Sequence, residues 1–223
     1  MTGARLVPVR TPRDPEGVVI VLHGGASRGD RMMVSPAQLS VLRMVPVARR
    51  IARAGRSRLA VHRLLNTHRG WDSRTTPVMD LEWALEQVTA QHGDLPVSLV
   101  GHSLGGRAAL LGGNDPRVRS VVALNPWVTP TDRADLRGAR VLVVHGTDDR
   151  VALPSRSADL AHRLAATTQV GYVAVPGARH AMLRHGRTFE TYAAEFVTAT
   201  LLDVAPRSAA VAAVLHGDAY VEG

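Results

Sequence analysis

The sequence predicts an α/β fold: a mostly parallel central sheet flanked by helices on both faces. Three observations carry this. Strand-like and helix-like segments alternate along most of the 223 residues, as they do when crossover helices cover a parallel sheet. The inner strand segments, Val18-Val19-Ile20-Val21-Leu22 and Ser120-Val121-Val122-Ala123-Leu124 among them, are apolar with little alternation, which suits strands buried on both faces. Finally, Val97-Ser98-Leu99-Val100 runs into Gly101-His102-Ser103-Leu104-Gly105-Gly106 and on into Arg107-Ala108-Ala109-Leu110-Leu111. That is a strand, a tight turn and a helix in direct succession.

Taken in order, Arg5-Leu6-Val7-Pro8-Val9 reads as an edge strand, since an internal proline cannot serve a central one. Val18 to Leu22 is a covered strand, and His23-Gly24-Gly25-Ala26-Ser27-Arg28-Gly29 after it is too glycine-rich for regular structure. From Ala37 to Ala54 the apolar residues Leu39, Leu42, Val45, Ala48 and Ile51 recur at helical spacing, and Gly55 stops them. Pro46 within this stretch predicts a kink or two shorter helices. Leu59 to Leu65 is the next strand, followed by a loop from Asn66 to Pro77 that carries Trp71-Asp72, and by a helix from Met79 to His92. After the glycine turn at Ser103 come a strand at 120–124 broken by Asn125-Pro126-Trp127, and a strand at 140–144 ending in His145-Gly146-Thr147-Asp148-Asp149. A helix over 155–166, a strand over 171–175 and a helix over 189–204 complete the pattern. No internal repeat or linker interrupts it, so one domain over 1–223 is expected, with its core at about 18–204. The alanine-rich tail, 205–223, has little amphipathic order and is compatible with a docked helix or a disordered end.

Composition narrows the function. A formal net charge of +8 and a pI near 11.3 raise nucleic-acid binding as a question. All 27 basic residues are arginine, they are dispersed and often sit beside acids, and aromatics make up only 4%. Neither a basic stripe nor a set of stacking platforms is present, so no nucleic-acid partner is expected. The absence of cysteine excludes disulfides and a thiolate nucleophile. No apolar run reaches about 18 residues and no leader-like stretch opens the chain, so no membrane partner and cytoplasmic residence are the expectations.

In an open α/β sheet, functional groups gather beyond the C-terminal ends of the strands. Ser103 follows one such end, Asp148-Asp149 another, and His180 lies beyond the last, in Val175-Pro176-Gly177-Ala178-Arg179-His180. The turn around Ser103 strains the serine backbone and projects its hydroxyl outward, with Gly101, Gly105 and Gly106 leaving room. A serine hydroxyl needs a base, a group that orients the base, and donors for the oxyanion. The sheet can bring together three residues far apart in sequence, in the order Ser, Asp, His.

With these motifs, His23-Gly24-Gly25, the Gly101 to Gly106 turn, His145-Gly146-Thr147-Asp148-Asp149 and Pro176-Gly177-Ala178-Arg179-His180, the chain resembles the α/β-hydrolase superfamily, in its small, capless serine esterase or dienelactone-hydrolase-like form. The resemblance implies Ser103 as nucleophile. It implies Asp149 as the acid, three residues after the glycine of His-Gly-x-x-Asp, with Asp148 as runner-up. Of the ten histidines, His180 alone follows a terminal strand through a Pro-Gly turn and is the base implied. His102, the variable residue of the turn, reads as a packing or pocket residue. The family pattern assigns one oxyanion donor to the amide of Leu104 and the other to Gly25 or Ala26, where a third glycine is missing. The alternative is that His23-Gly24-Gly25 merely turns the chain. Trp127, after a strand exit, and Met182, beside the base, are the candidate pocket residues. The stretch from Asn125 to Gly138 is too short for a cap. The implied activity is hydrolysis of small carboxylic esters, thioesters or lactones through an acyl-enzyme, on a small-molecule substrate and with no metal or organic cofactor. The alternatives are acyl transfer on the same residues, or ligand binding without turnover.

Overall fold

The computed structural model describes residues 3–25, 32–71 and 75–223. Among these the chain forms, in order, β1 (Arg5–Arg10), β2 (Gly17–Leu22), α1 (Leu39–Ala54), β3 (Leu59–Leu65), α2 (Thr76–His92), β4 (Val97–His102) and α3 (Leu104–Gly112). These are followed by β5 (Val118–Leu124), β6 (Arg140–Gly146), α4 (Pro154–Leu164), β7 (Gln169–Val175), α5 (Gly186–Leu202), α6 (Ala209–His216) and β8 (Tyr220–Glu222). All the strands join one sheet in the order β1-β3-β2-β4-β5-β6-β7-β8. Only β1 runs antiparallel to its neighbour, as an edge.

The apolar strands divide their side chains by the two-residue period. Val18, Ile20 and Leu22 face one side with Leu99, Val121 and Val143, where they meet Leu81 and Leu85 of α2, Ala109 of α3 and Leu160 of α4. Val19 and Val21 face the other with Val100, Val122 and Val144, under Met44 and Ile51 of α1, Phe189 and Phe196 of α5, and Val211 of α6. Continuous burial from Gly17 to Leu22 and from Val97 to His102 follows from this double cover.

The structure sharpens two local readings. α1 runs as one helix through Pro46. Pro46 lies on its exposed side, and the buried Met44, Val47, Ala48 and Ile51 hold the turns on either side against the sheet. That packing offsets the hydrogen bond the proline cannot make. The tail is ordered: α6 buries Val211 and Val214, and β8 pairs in parallel with β7. The connection from β5 to β6, residues 125–139, contains neither helix nor strand. Among the described residues no helix is long and apolar enough to cross a membrane.

For function the sheet order matters most. The exits of β4, β5, β6 and β7 lie side by side, so about 14 Å, three strand spacings, separates the first from the last. A residue carried beyond β7 must cross that span to meet one at β4.

Candidate active site

Ser103 sits between β4 and α3 with φ 55° and ψ −120°, a conformation that few residues with a side chain adopt. Neighbouring backbone holds it there. Its N–H donates to the Leu124 carbonyl at 3.0 Å, and its carbonyl accepts from the amides of Arg107 at 3.0 Å and Trp127 at 3.1 Å. α3 starts hard against the end of β2: a Cβ on Gly105 would lie 2.5 Å from the His23 carbonyl oxygen and 2.6 Å from that of Leu22. Only glycine allows that approach.

His180 reaches the serine. Its Nε2 is 3.0 Å from Ser103 Oγ, and its Nδ1 is 2.7 Å from Asp149 Oδ2. Asp149 Oδ1 accepts the amides of Val151 at 2.8 Å and Ala152 at 2.9 Å. His145 Nε2 lies 3.2 Å from Asp149 Oδ2 and 3.0 Å from the Ala152 carbonyl, while its Nδ1 meets the Ser157 hydroxyl at 2.7 Å. The two acceptors around Nε2 place the His145 proton there. Burial by itself would push the Asp149 carboxyl up, but hydrogen bonds from His145, His180 and the Ala152 amide hold it well below the usual carboxylate range. Asp148, one residue earlier, is exposed.

Of the oxyanion donors expected from the sequence, Leu104 adjoins the serine and Gly25 lies near Leu104. Leu104 opens α3, so its N–H has no intrahelical acceptor. Gly24 packs against Ser103, for a Cβ there would come 3.1 Å from the serine Cβ. Gly25 lies close enough to Leu104 that its own Cβ would stand 3.3 Å from the leucine Cδ1, and it would overlap the Arg69 carbonyl. His23, buried behind this turn, has Nδ1 at 2.5 Å from the Gly24 carbonyl and accepts the Asn66 amide on Nε2 at 3.2 Å. Burial keeps it neutral. Ala26, together with Arg28 and Asp72, lies outside the described residues.

Trp127 is half-buried, and the Arg107 guanidinium stands between its ring, 5.6 Å away, and that of Trp71, 4.1 Å away. Asp132 fixes Arg107 through two hydrogen bonds of 2.9 and 2.7 Å. Met182 is buried at φ +56°. With Leu183, Leu39, Leu42 and Arg43 it lines a cavity of about 290 Å³. His102 is 1% exposed, its ring centroid 4.9 Å from that of His180 and its Nε2 2.9 Å from the His180 carbonyl.

Sequence reasoning gave His145 only a general structural or orienting duty, and it passed over Arg107 and Asn125. Arg107 stands four residues beyond Ser103, one helical turn on, which was the available signal. Among the described residues no group of three His, Asp or Glu side chains gathers as metal ligands.

Comparison with known proteins follows the same lines. A family model described as serine aminopeptidase, S33, matches residues 13–139, more than half of the chain. That stretch contains Ser103 and the His23-Gly24-Gly25 turn, whereas Asp149 and His180 lie beyond it. A sequence comparison with curated proteins found no match. Among solved structures, an α/β serine hydrolase homologue from Coxiella burnetii superposes with a TM-score of 0.63 at 17% identity, over 86% of this chain and 89% of the other. A lidless α/β serine hydrolase from Xanthomonas campestris superposes at 0.62 and 19% identity, over 85% of each chain. An esterase from Pyrobaculum calidifontis does so at 0.64 and 16% identity, over 89% of this chain and 81% of its own. At such identities the likeness is one of fold.

Proposed function

This chain belongs to the serine aminopeptidase S33 family of α/β hydrolases, and on that premise we propose that it cleaves small carboxylic esters with Ser103 as nucleophile, His180 as base and Asp149 as acid. The observation that carries the reading is the His180 ring, with one nitrogen at the serine hydroxyl and the other at the carboxylate.

The chemistry follows from the protons. Asp149 stays ionised and accepts a hydrogen bond from the Nδ1–H of His180, which leaves the Nε2 lone pair facing Ser103 Oγ. As the hydroxyl attacks the ester carbonyl carbon, its proton passes to Nε2, and Asp149 stabilises the resulting cation. The carbonyl oxygen gains a negative charge, for which the amides of Leu104 and Gly25 are the donors. The position of His23 supports Gly25. Its Nδ1–H draws the Gly24 carbonyl toward itself, and in a trans peptide the following N–H points the opposite way. His180 then protonates the leaving alcohol, the acyl group remains on Ser103, and water activated by the same imidazole releases it. The short β5–β6 connection contributes no lid to the site, which favours short, soluble acyl groups and water as the acceptor.

Two measurements test the reading. A fluorophosphonate probe labels the wild-type protein and leaves Ser103→Ala unlabelled; equal labelling of both would refute the role of the serine. With p-nitrophenyl acetate, Ser103→Ala and His180→Ala each lose more than about 10³-fold in kcat. Across p-nitrophenyl esters from acetate to decanoate, kcat/KM is highest at the short end. A maximum at decanoate would move the substrate class to long-chain lipids. The matching p-nitroanilide amides, run in parallel, separate ester from amide cleavage.

A further inference from the structure

His180 comes from the far side of the sheet. The loop that carries it leaves β7 and crosses the exits of β6 and β5 before its ring can meet Ser103 at β4. At each exit something grips it. The β6 exit holds the first part: Gly177 N–H donates to Thr147 Oγ1 at 2.9 Å, and Asp148 N–H donates to the Ala178 carbonyl at 3.0 Å. The β5 exit holds the next: Asn125 Nδ2 donates to the Arg179 carbonyl at 3.3 Å and to the His180 carbonyl at 3.1 Å. At the end of β4, His102 Nε2 meets the same His180 carbonyl at 2.9 Å.

We propose that Asn125 and His102 are positioning residues for the proposed reaction: together they clamp the backbone carbonyl of His180 and so set its ring between Ser103 and Asp149. This inference rests on the reading of His180 as the base. It goes beyond that reading by assigning work to two side chains that touch neither substrate nor reacting atom.

Each residue is built for the task. Asn125 is wholly buried at φ +43°, a left-handed conformation that asparagine tolerates better than most residues. Its amide is fully used, because Oδ1 accepts the Gly146 N–H at 2.8 Å, which orients the NH₂ group toward the loop. His102 must carry its proton on Nε2, since a carbonyl faces that atom. Among the described residues its buried Nδ1 has no hydrogen-bond partner. A ring needed only to fill space would be better replaced by an apolar one, as an unmatched buried nitrogen is costly. The single N–H is the reason to keep it. Burial foremost, with the nearby His180 adding to it, pushes His102 down to about 3, so the ring stays neutral at working pH.

The experiment compares His102→Leu, His102→Gln and Asn125→Asp with wild type and Ser103→Ala on p-nitrophenyl acetate, with thermal unfolding run alongside. Leucine removes the donor, glutamine restores an N–H at similar reach, and aspartate retains the acceptor for Gly146 while turning a second oxygen on the two loop carbonyls. His102→Leu and Asn125→Asp are expected to lose about 10²-fold in kcat with KM little changed, and His102→Gln to recover most of the loss. If both His102 variants lose kcat alike in step with a lower Tm, the role is merely structural and the proposal is overturned. Wild-type kcat in His102→Leu and Asn125→Asp, beside an inactive Ser103→Ala, overturns the clamp and leaves the hydrolase reading intact. A wild-type protein that neither labels nor turns over esters instead removes the reading on which the clamp rests. Should a variant fail to fold, ¹⁵N-histidine NMR of the wild type decides: a neutral His102 protonated on Nε2 near neutral pH is expected, and an Nδ1–H tautomer or an imidazolium overturns the proposal.

Discussion

At the residue scale the sharpest choice lies between two adjacent carboxylates. Asp149 is buried and saturated with donors, whereas the Asp148 carboxylate is exposed and accepts from the Thr147 hydroxyl at 3.3 Å. Asp149→Asn is therefore expected to lower kcat by about 10⁴-fold, by turning the imidazole to the wrong tautomer. Asp148→Asn should leave it within about twofold, as surface changes away from reacting groups usually do. The reverse pattern in ester assays would exchange their roles. Ser103, Asp149 and His180 were legible because each follows a strand, and exits of parallel strands share one rim. Asn125 was not. It reads as a strand breaker, and its importance depends on β5 lying between β4 and β6, an order that no stretch of sequence displays. An orienting duty for His145 was legible but its partners were not, since Asp149 and Ser157 converge on it only once α4 has folded back over β6.

At the element scale, long apolar strands and helices with a regular apolar stripe can be read directly, because period and length agree. The features that escaped reading, the continuity of α1 and the strand β8, are those held by their neighbours. α1 survives Pro46 through tertiary burial, and β8, three residues long, exists by pairing with β7. The unit formed by β4, Ser103 and α3 also has a tertiary requirement, the approach of α3 to the end of β2. Gly105→Ala forces a methyl group onto the Leu22 and His23 carbonyls and is expected to cost about 1–3 kcal/mol. Urea unfolding checks this: the midpoint falls while the slope stays constant. An unchanged midpoint would mean that the helix can shift at no cost.

For the whole molecule, buried neutral histidines make stability depend on pH. Burial first, then a neighbouring imidazole, takes His62 from 6.5 to about 4 and His102 to about 3. Below pH 6.5 the unfolded chain binds protons that the folded chain refuses, so stability is complete above that pH and falls as acid is added. Each of these residues is expected to cost about 2 kcal/mol at about pH 5. Asp149 acts lower down: its folded carboxyl is held below the ordinary range, so its contribution is complete above about pH 4 and is lost only beneath that. Urea midpoints at about pH 7.5 and about pH 5 should thus differ, and His62→Leu should reduce the difference. Coincident midpoints would show that these rings take up protons without unfolding the protein.

Both outer margins of the sheet are poor templates for a visiting strand. β1 carries Pro8 and a register shift between Pro8 and Arg10, and β8 ends after one short pairing. Without residues 207–223, β7 would present bare amides and carbonyls flanked by apolar side chains, a ribbon on which another copy could add itself. Residues 207–223 therefore cover that ribbon. Their deletion is expected to raise the fraction of larger species seen by light scattering above that of the undeleted chain at equal concentration.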